Sequence, residues 1–263
     1  MAWKKETAVI GGTVKMRKAG SGLPFTPVGL CSTVQQTHET NDLTLPDATN
    51  PMGGTYDKLE KVTRMGIQLN MREIFARNLA IQLYGTVYDV PSTTVTEEPH
   101  VVEVGGTCML AKMPLTIDEI VDSATGAVTY VEDVDYKITG AGFEVLAGGD
   151  LATAIAAAAV SEETFSVDVS YTSADYDEIE AITNSGEEWE LMFEGANAVG
   201  QKGKINAHYW RVRFGLAESM DFISVDDFMG QTVTAEVLAD NSRGAGRSAY
   251  MKINKQKNVP VAP

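Results

Sequence analysis

Apolar and polar residues alternate along one unusually long stretch of the chain. From Leu59 to Met71 the odd positions are Leu59, Lys61, Thr63, Met65, Ile67, Leu69 and Met71, mostly apolar. The even positions are Glu60, Val62, Arg64, Gly66, Gln68 and Asn70, mostly polar. Period two predicts a strand with one wet face. Roughly 13 residues of strand span about 40 Å, more than twice the usual length, so such a strand needs neighbours as long as itself. The period then changes. Phe75, Leu79 and Leu83 fall four apart, with Ile74 and Ala80 beside them, which predicts a short helix with one buried stripe. Asn70 is placed to cap that helix, with Glu73 three residues on, and Gly85 to end it.

Strand patterns recur on either side. Val28 to Thr40 reads as a strand. Between it and the long strand lies Asn41 to Asp57 (NDLTLPDATNPMGGTYD), with two prolines, two glycines and little periodicity. A loop of this length tends to be functional, and here it makes the oversized tip of a hairpin. Later strands are predicted at Asp177 to Thr183, Glu187 to Ala196, Lys204 to Ala217, Gln231 to Asp240 and Ala249 to Ile253. In the second of these, Trp189, Leu191 and Phe193 oppose Glu188, Glu190 and Glu194. In the third, Trp210, Val212, Phe214 and Leu216 share the face opposite Tyr209, Arg211 and Arg213. Asp221 to Gly230 reads as a connecting loop and Asn241 to Gly246 as a turn. Met1 to Gly22 holds Lys4, Lys5, Lys15, Arg17 and Lys18 among glycines, and reads as a basic tail or as an arm that docks on a partner. The last stretch, KQKNVPVAP, reads as a loose polar tail.

Charge divides the chain more sharply than hydropathy does. Ser92 to Glu180 carries 18 Asp and Glu against two Lys, a balance of −16, while the remaining residues balance at +1. The whole excess of the −15 net charge therefore sits in one segment, which suggests a separate domain. Linker-like stretches, Pro91–Thr94 and Thr172–Asp175, flank it. The expected division is 1–91 and 177–263 as one domain and 92–176 as an insertion. The insertion reads as short strands at His100 to Val104, Met109 to Ile117, Val128 to Val131, Tyr136 to Thr139, Phe143 to Leu146 and Thr164 to Tyr171. Glycine turns separate them, as in a small Ig-like sandwich. Ala152 to Ala159 reads as one helical turn or a loop. The expected fold class is mainly β with one short helix and an inserted small β-sandwich.

Composition is that of a globular protein, with 44% hydrophobic and 22% charged residues. No apolar run is long enough to cross a bilayer. MAWKKETAV has no apolar core behind its lysines, so no secretory signal is expected. Cys31 and Cys108 lie far apart in unrelated contexts and read as free thiols of a reducing cytoplasm. Phosphate-loop, nucleophile-elbow, zincin and CxxC motifs are all missing from the sequence. His38, His100 and His208 fall in three different strands and read as packed or surface residues. Asp226–Asp227 and Glu187–Glu188 read as solvated acids. No catalytic residue, metal site or cofactor is expected. The acidic balance also argues against a nucleic-acid binder of the usual kind, which needs clustered Lys and Arg.

One run then carries a family likeness. TLPDATNPMGGTYDKLEKVTRMGIQLNMREIFARNLAIQLYG joins a Pro-Gly loop, a GGxYD turn, a very long strand and a helix. Further likenesses are HYWRVRFGLA, SMDFISVDDFMGQTVTAEVLAD, the ending SAYMKI, and YVEDVDYKITGAGFEVLAGG in the insertion. The order of parts, over most of the chain, resembles the major tail tube protein of long, non-contractile-tailed bacteriophages.

The resemblance implies a virion structural protein without enzymatic activity, assembled in the host bacterial cytoplasm. Homo-hexameric rings would stack into a tube, each subunit giving long tilted strands to a shared β-barrel with the helix outside. The implied partners are further copies of the chain, the tail tip, terminator and tape-measure proteins, and viral DNA passing through the lumen without specific binding; no membrane is involved. The candidate lumen acids are Glu60, Glu190, Glu194, Glu236 and Asp240, with the outer solvent face as their alternative place. Arg64, Arg211 and Arg213 would pair with acids across strands or subunits. Ring-to-ring contacts are expected at Leu45, Pro46, Asp47, Asn50, Pro51, Met52 and Tyr56, and at both chain ends. The inserted domain would project outward. Two other classes stay open: a surface-recognition or adhesion module on a β-rich scaffold, and a monomeric β-rich enzyme of unknown type. Contractile-tail and secretion-system tubes are nearer relatives of the first reading.

Overall fold

The stretch that reads as a basic arm forms the strand β1 (Ile10–Lys18). Val14 and Met16 from it are buried in the core, and each such burial is worth about 1.5–3 kcal/mol. Lys15 and Arg17 alternate with them on the other face, where each is partly buried and paired with a glutamate. The structure is a computed structural model that describes residues 7–126, 128–161, 163–199, 203–217, 219–225 and 228–257. The first residues of the expected arm, the last of the expected tail and the Asp226–Asp227 pair lie outside the described residues.

The fold is mainly β. After β1 come β2 (Thr26–Pro27), β3 (Cys31–Pro46), β4 (Thr55–Met71), α1 (Ala76–Leu83), β5 (Thr86–Val90), β6 (Thr94–Val102), β7 (Thr107–Met109), β8 (Pro114–Asp122), β9 (Tyr136–Thr139) and β10 (Gly142–Val145). They are followed by α2 (Asp150–Val160), β11 (Phe165–Ser173), β12 (Tyr176–Glu180), β13 (Glu188–Asn197), β14 (Lys204–Phe214), β15 (Gln231–Val237) and β16 (Met251–Lys255). Contacts divide the chain into two units, Met1–Val87 with Ile179–Pro263, and Tyr88–Glu178. Among the described residues no helix is long and apolar enough to cross a membrane.

The first unit is built on an eight-stranded sheet in the order β2-β1-β13-β14-β15-β4-β3, with β16 also paired to β14. One face is apolar: Val14 and Met16, Leu191, Tyr209, Val212 and Phe214, Val233 to Val237 at every second position, and Ile67, Leu69 and Met71 form one core. The hydroxyl of Tyr209 donates to Gln36 Oε1 at 2.7 Å, tying the inner face of β14 to that of β3.

Two bulges alter the faces read from the sequence. Trp189 pairs with Val212 but Leu191 with Tyr209, so β14 holds one extra residue there. Tyr209 thus joins Val212 and Phe214 in the core, while Trp210 turns to the other side and Leu216 is exposed. In β4 the extra residue is Thr63, because Glu39 pairs with Arg64 and Thr40 with Val62.

The hairpin tip is also shorter than its composition implies. β3 continues to Pro46, with Leu43 opposite Leu59 and Asp42 opposite Glu60, leaving only Asp47 to Gly54 as the turn. Nor does the helix follow the expected stripe. It begins at Ala76, with Phe75 as its N-cap, while Asn70 stays in β4 and its side chain donates to Thr232 Oγ1 at 3.0 Å. Phe75 and Ile74 are exposed; the buried positions are Asn78, Ala80 and Gln82. Amide hydrogen bonds explain this choice: Asn78 Nδ2 donates to the Val28 carbonyl at 2.8 Å and Gln82 Nε2 to Gln231 Oε1 at 2.9 Å. Buried amides are tolerated when they are hydrogen-bonded, although Asn78 Oδ1 has no partner among the described residues. Tyr84 closes the helix in the left-handed region (φ 50°), and the Gly85 N–H bonds to Ala80 O.

The second unit has its own core. Val102, Ile117, Ile120, Val167, Val169 and Tyr171 come from the sheet β6-β11-β8, and Tyr136, Phe143 and Val145 from the sheet β7-β10-β9, with Leu151 of α2 among them. Pro114 begins a new strand, so the expected strand Met109 to Ile117 is two. Val128 to Val131 makes only an isolated bridge, Thr129 to Val121. The alanine run is a second helix of 11 residues, against the single helix expected. Asp135 anchors its start: the buried carboxylate accepts from the N–H of Leu151 at 3.0 Å and of Val131 at 2.8 Å. A Cβ on Gly149 would meet Asp135 Oδ1 at 2.3 Å, which fixes glycine there. Glu98 of β6 accepts from Tyr171 Oη at 2.8 Å, His100 Nε2 at 2.8 Å and the Ala111 N–H at 2.9 Å.

Because no core residue is shared between the two units, the segment Tyr88–Glu178 expressed alone is expected to unfold in one cooperative transition. Circular dichroism during urea titration checks this. In that segment Tyr171→Phe should cost about 1–3 kcal/mol, the cost of leaving a half-buried carboxylate short of a donor.

Candidate assembly surface

Two features of the first unit stand out as chemistry: the polar face of the sheet and the far end of the β3–β4 hairpin. The polar face follows directly from strand alternation. Lys15 and Arg17 project from β1 between the core residues Val14 and Met16, opposite Met192 and Glu190 of β13. Lys15 Nζ meets Glu194 at 2.6 Å and Arg17 meets Glu190 at 2.8 Å. Arg211 holds Glu188 through two bonds of 2.9 Å and donates to the Ala239 carbonyl at 2.8 Å. That two-pronged hydrogen bond keeps the Glu188 carboxyl below its usual pKa and the guanidinium above its own. Arg64 lies 3.4 Å from Glu39 and 3.6 Å from Glu236, and Arg213 sits opposite Glu236. Thr232, Thr234, Gln68 and Asn70 continue the same face across β15 and β4.

At the middle of this face an aromatic column forms. Arg17 lies 4.5 Å over the ring of Phe25, Phe25 packs edge-on against His208, and His208 lies 4.2 Å from Trp210. Arg243 covers Trp210 at 3.5 Å. His208 Nε2 reaches Glu190 at 3.1 Å. Burial in the column pulls the His208 pKa below 6.5, and the Glu190 carboxylate only partly opposes that shift.

The five candidate lumen acids therefore occupy different settings. Glu190 is half-buried between Arg17 and His208, and Glu194 is paired with Lys15. Glu236 lies beside Arg64. Asp240 follows β15 and accepts from the Ser242 N–H at 3.1 Å and its hydroxyl at 2.6 Å, which caps a short 3₁₀ turn. These contacts hold the Asp240 carboxyl below its usual range. Glu60 is exposed and lies opposite Asp42, beyond the Thr63 bulge. By register it faces away from Arg64, whereas unbroken period two puts the two residues together.

Of the residues expected at ring contacts, Leu45 and Pro46 end β3, Tyr56 lies in β4, and Asp47, Asn50, Pro51 and Met52 make the turn. The turn is tightly knit. Asp47 accepts from the N–H of Thr49 at 2.8 Å and its hydroxyl at 2.6 Å, Asn50 Oδ1 accepts from the Met52 N–H at 3.0 Å, and the Asp47 N–H closes on Gly54 O at 2.9 Å. Met52 is 92% exposed and Tyr56 71%. Leu43, Leu45, Leu59 and Val62 are exposed as well. The other two histidines also have local partners: His38 pairs with Gln36 at 2.7 Å and His100 with Glu98. Both thiols are raised by burial, Cys31 to about 11.

These placements separate the acids by their expected mutational cost. Glu190→Ala should destabilise the chain by about 1.5–3 kcal/mol, because it strips the Arg17 guanidinium and the half-buried His208 of their shared acceptor, while Glu60→Ala should stay within about 0.5 kcal/mol. Urea unfolding of both variants checks the contrast. His208 gives a pH test. Its folded pKa lies below the unfolded value near 6.5, so as pH falls through 6.5 the unfolded chain takes up the proton first and stability drops. The melting temperature should fall between pH 7 and about 5.5, and His208→Gln should flatten that part of the curve.

No curated protein matches this chain. A family model described as "Protein of unknown function UCP028589" matches residues 7–254. That match spans all but the two ends of the sequence, and the chain belongs to this family.

Proposed function

We propose that the chain is the structural subunit of a phage tail tube, in which homo-hexameric rings stack around a channel for the viral DNA. The observation that carries this reading is the outer half of the β3–β4 hairpin. β3 ends the sheet order, so one edge of a 16-residue strand has no strand partner among the described residues. Its outer half and that of β4 also expose apolar side chains on no core of their own. A long unpaired edge of this kind templates association with another chain. Copies of the same chain supply a partner of matching length, and closure into a ring removes the edge.

In this proposal the polar face lines the channel. Its design is charge pairing and not a wall of free acid. Each of Lys15, Arg17, Arg64 and Arg211 stands within ion-pair distance of a glutamate, which weakens the hold of these four on a phosphate. Thr, Gln and Asn fill the rest. DNA would slide past such a face without sticking. The negative charge of the inserted unit would keep tubes apart. The tail tip, terminator and tape-measure proteins would meet the ends and bore of the tube. The chain would act without catalysis, in the virion.

The test is negative-stain electron microscopy of the purified chain across a range of concentrations, with and without nucleating tail tips. Rings or hollow tubes of uniform width are expected. Removing Leu45 to Gly53 should leave the unfolding curve of the first unit nearly unchanged and abolish stacking. Tubes of normal length from that variant would refute the role of the hairpin.

A further inference from the structure

The first unit carries an apolar socket and, elsewhere on its surface, an apolar knob. The socket is a cavity of about 220 Å³ walled by Ile81, Tyr84, Val87, Trp189 and Phe214, with Arg77 at its side. It is smaller than the roughly 300–1,000 Å³ of small-molecule pockets. A cavity of about 150 Å³ already holds a benzene ring, so its size suits one aromatic side chain with a neighbour. Arg77 donates to Thr26 Oγ1 and, at 2.6 Å, to the Pro27 carbonyl; its buried Nε–H has no acceptor. Among the described residues no carboxylate pairs with it. The acid on the cavity wall, Glu187, is bound to Lys18 at 2.6 Å. A second guanidinium, Arg213, lies against Gly186 at the rim.

The knob is the connection between β14 and β15. Phe222, Ile223 and Val225 there are 82%, 83% and 87% exposed. Gly215 to Gly230 contains four acids and no base. Both ends are pinned: the Gly215 N–H bonds to Thr234 O at 2.9 Å, the Ala217 N–H to Gln82 O at 2.9 Å, and Arg72 donates to the Phe228 carbonyl at 2.6 Å. Between these anchors Phe222, Ile223 and Val225 are held out in solvent, while Met220 is partly buried.

We propose that Phe222 and Ile223 of one copy seat in this cavity of the next copy, with Asp221 turned toward Arg77. The apolar walls match the apolar knob, and an arginine with no carboxylate partner among the described residues meets an acidic segment without a base. Each copy owns one knob and one socket, so the contact is head-to-tail and repeats around a ring or along a filament. This inference rests on the assembly reading and names one contact within it.

Two experiments on the full chain test it. First, a fluorescently labelled peptide spanning Ser219 to Gly230 is titrated into the protein and followed by anisotropy. Saturable binding is expected, weakened at least tenfold by Phe222→Asp or Asp221→Lys in the peptide. Asp221→Lys in the peptide should regain affinity for an Arg77→Glu protein. Second, Phe222→Asp in the full chain should leave the melting temperature of dilute protein unchanged and abolish association seen by sedimentation. Binding that ignores both peptide substitutions, or normal association of the Phe222→Asp chain, overturns the contact. A fall in melting temperature for that variant at every concentration also overturns it, because the loop would then close on its own cavity. If tubes form but the peptide fails to bind, this contact is wrong and the tube stands. If the peptide binds but the chain stays as single particles, the contact stands and the tube is wrong.

Discussion

A strand of 17 residues is longer than the core available to bury it. β4 has apolar packing beneath it only from Met65 to Met71, where β15 lies on one side and β3 on the other. From Thr55 to Arg64 it has β3 alone. A two-stranded ribbon is marginal by itself, so the outer half depends on the inner half for its register. The inner half is fixed by Ile67 and Leu69 in the core, since a one-residue slip would exchange them with Gln68 and Asn70. The Thr63 bulge stands at the boundary between the two regimes. Everything proposed for the outer ribbon follows from a register set some distance away.

The same constraint shapes the opposite face. A sheet with one apolar side must present its alternate residues somewhere, and here those residues are strongly charged. Pairing them within the sheet lets β1 lie against β13 with Lys15 and Arg17 meeting Glu194 and Glu190 in place of repulsion among the acids. Exposed pairs of this sort add little stability, about 0–1 kcal/mol each. Their effect is on the character of the surface, where many of the charges are paired.

Long-period features were legible in the sequence, and features set by one or two residues were not. The long strand of the hairpin and the aromatic strand around Trp210 declare themselves by alternation over many residues. The strands of the acidic segment are too short for that, and two of the six expected there form differently. β1 was hidden because its core contribution is two residues, Val14 and Met16, set among three bases that read as a tail. Both bulges were invisible, since an extra Thr63 or an extra residue near Trp210 leaves composition and local alternation intact. Only the partner strand reveals them. The helix misled for another reason: the pattern Phe75, Leu79, Leu83 is apolar, yet Asn78 and Gln82 are the residues that find buried acceptors. The acids of the polar face were identifiable by type, but whether each is free or paired depends on strands distant in sequence, such as Lys15 with Glu194.

The outer ribbon must also resist the wrong partner. Its apolar residues Leu43, Leu59 and Val62 are interleaved with Asp42, Lys58, Glu60, Lys61 and Arg64, and Lys58 already bridges to Asp42 at 2.8 Å. Charges at this density make indiscriminate edge pairing costly, because a random strand leaves them unmatched and partly desolvated. A copy of the same chain in one fixed register can match them. Specific association and freedom from aggregation are then two results of one pattern: apolar residues supply the gain from burial, and the charges between them restrict that gain to a single geometry. In the proposed tube, such a ribbon would resist random aggregation and still admit a copy of the same chain in its one register.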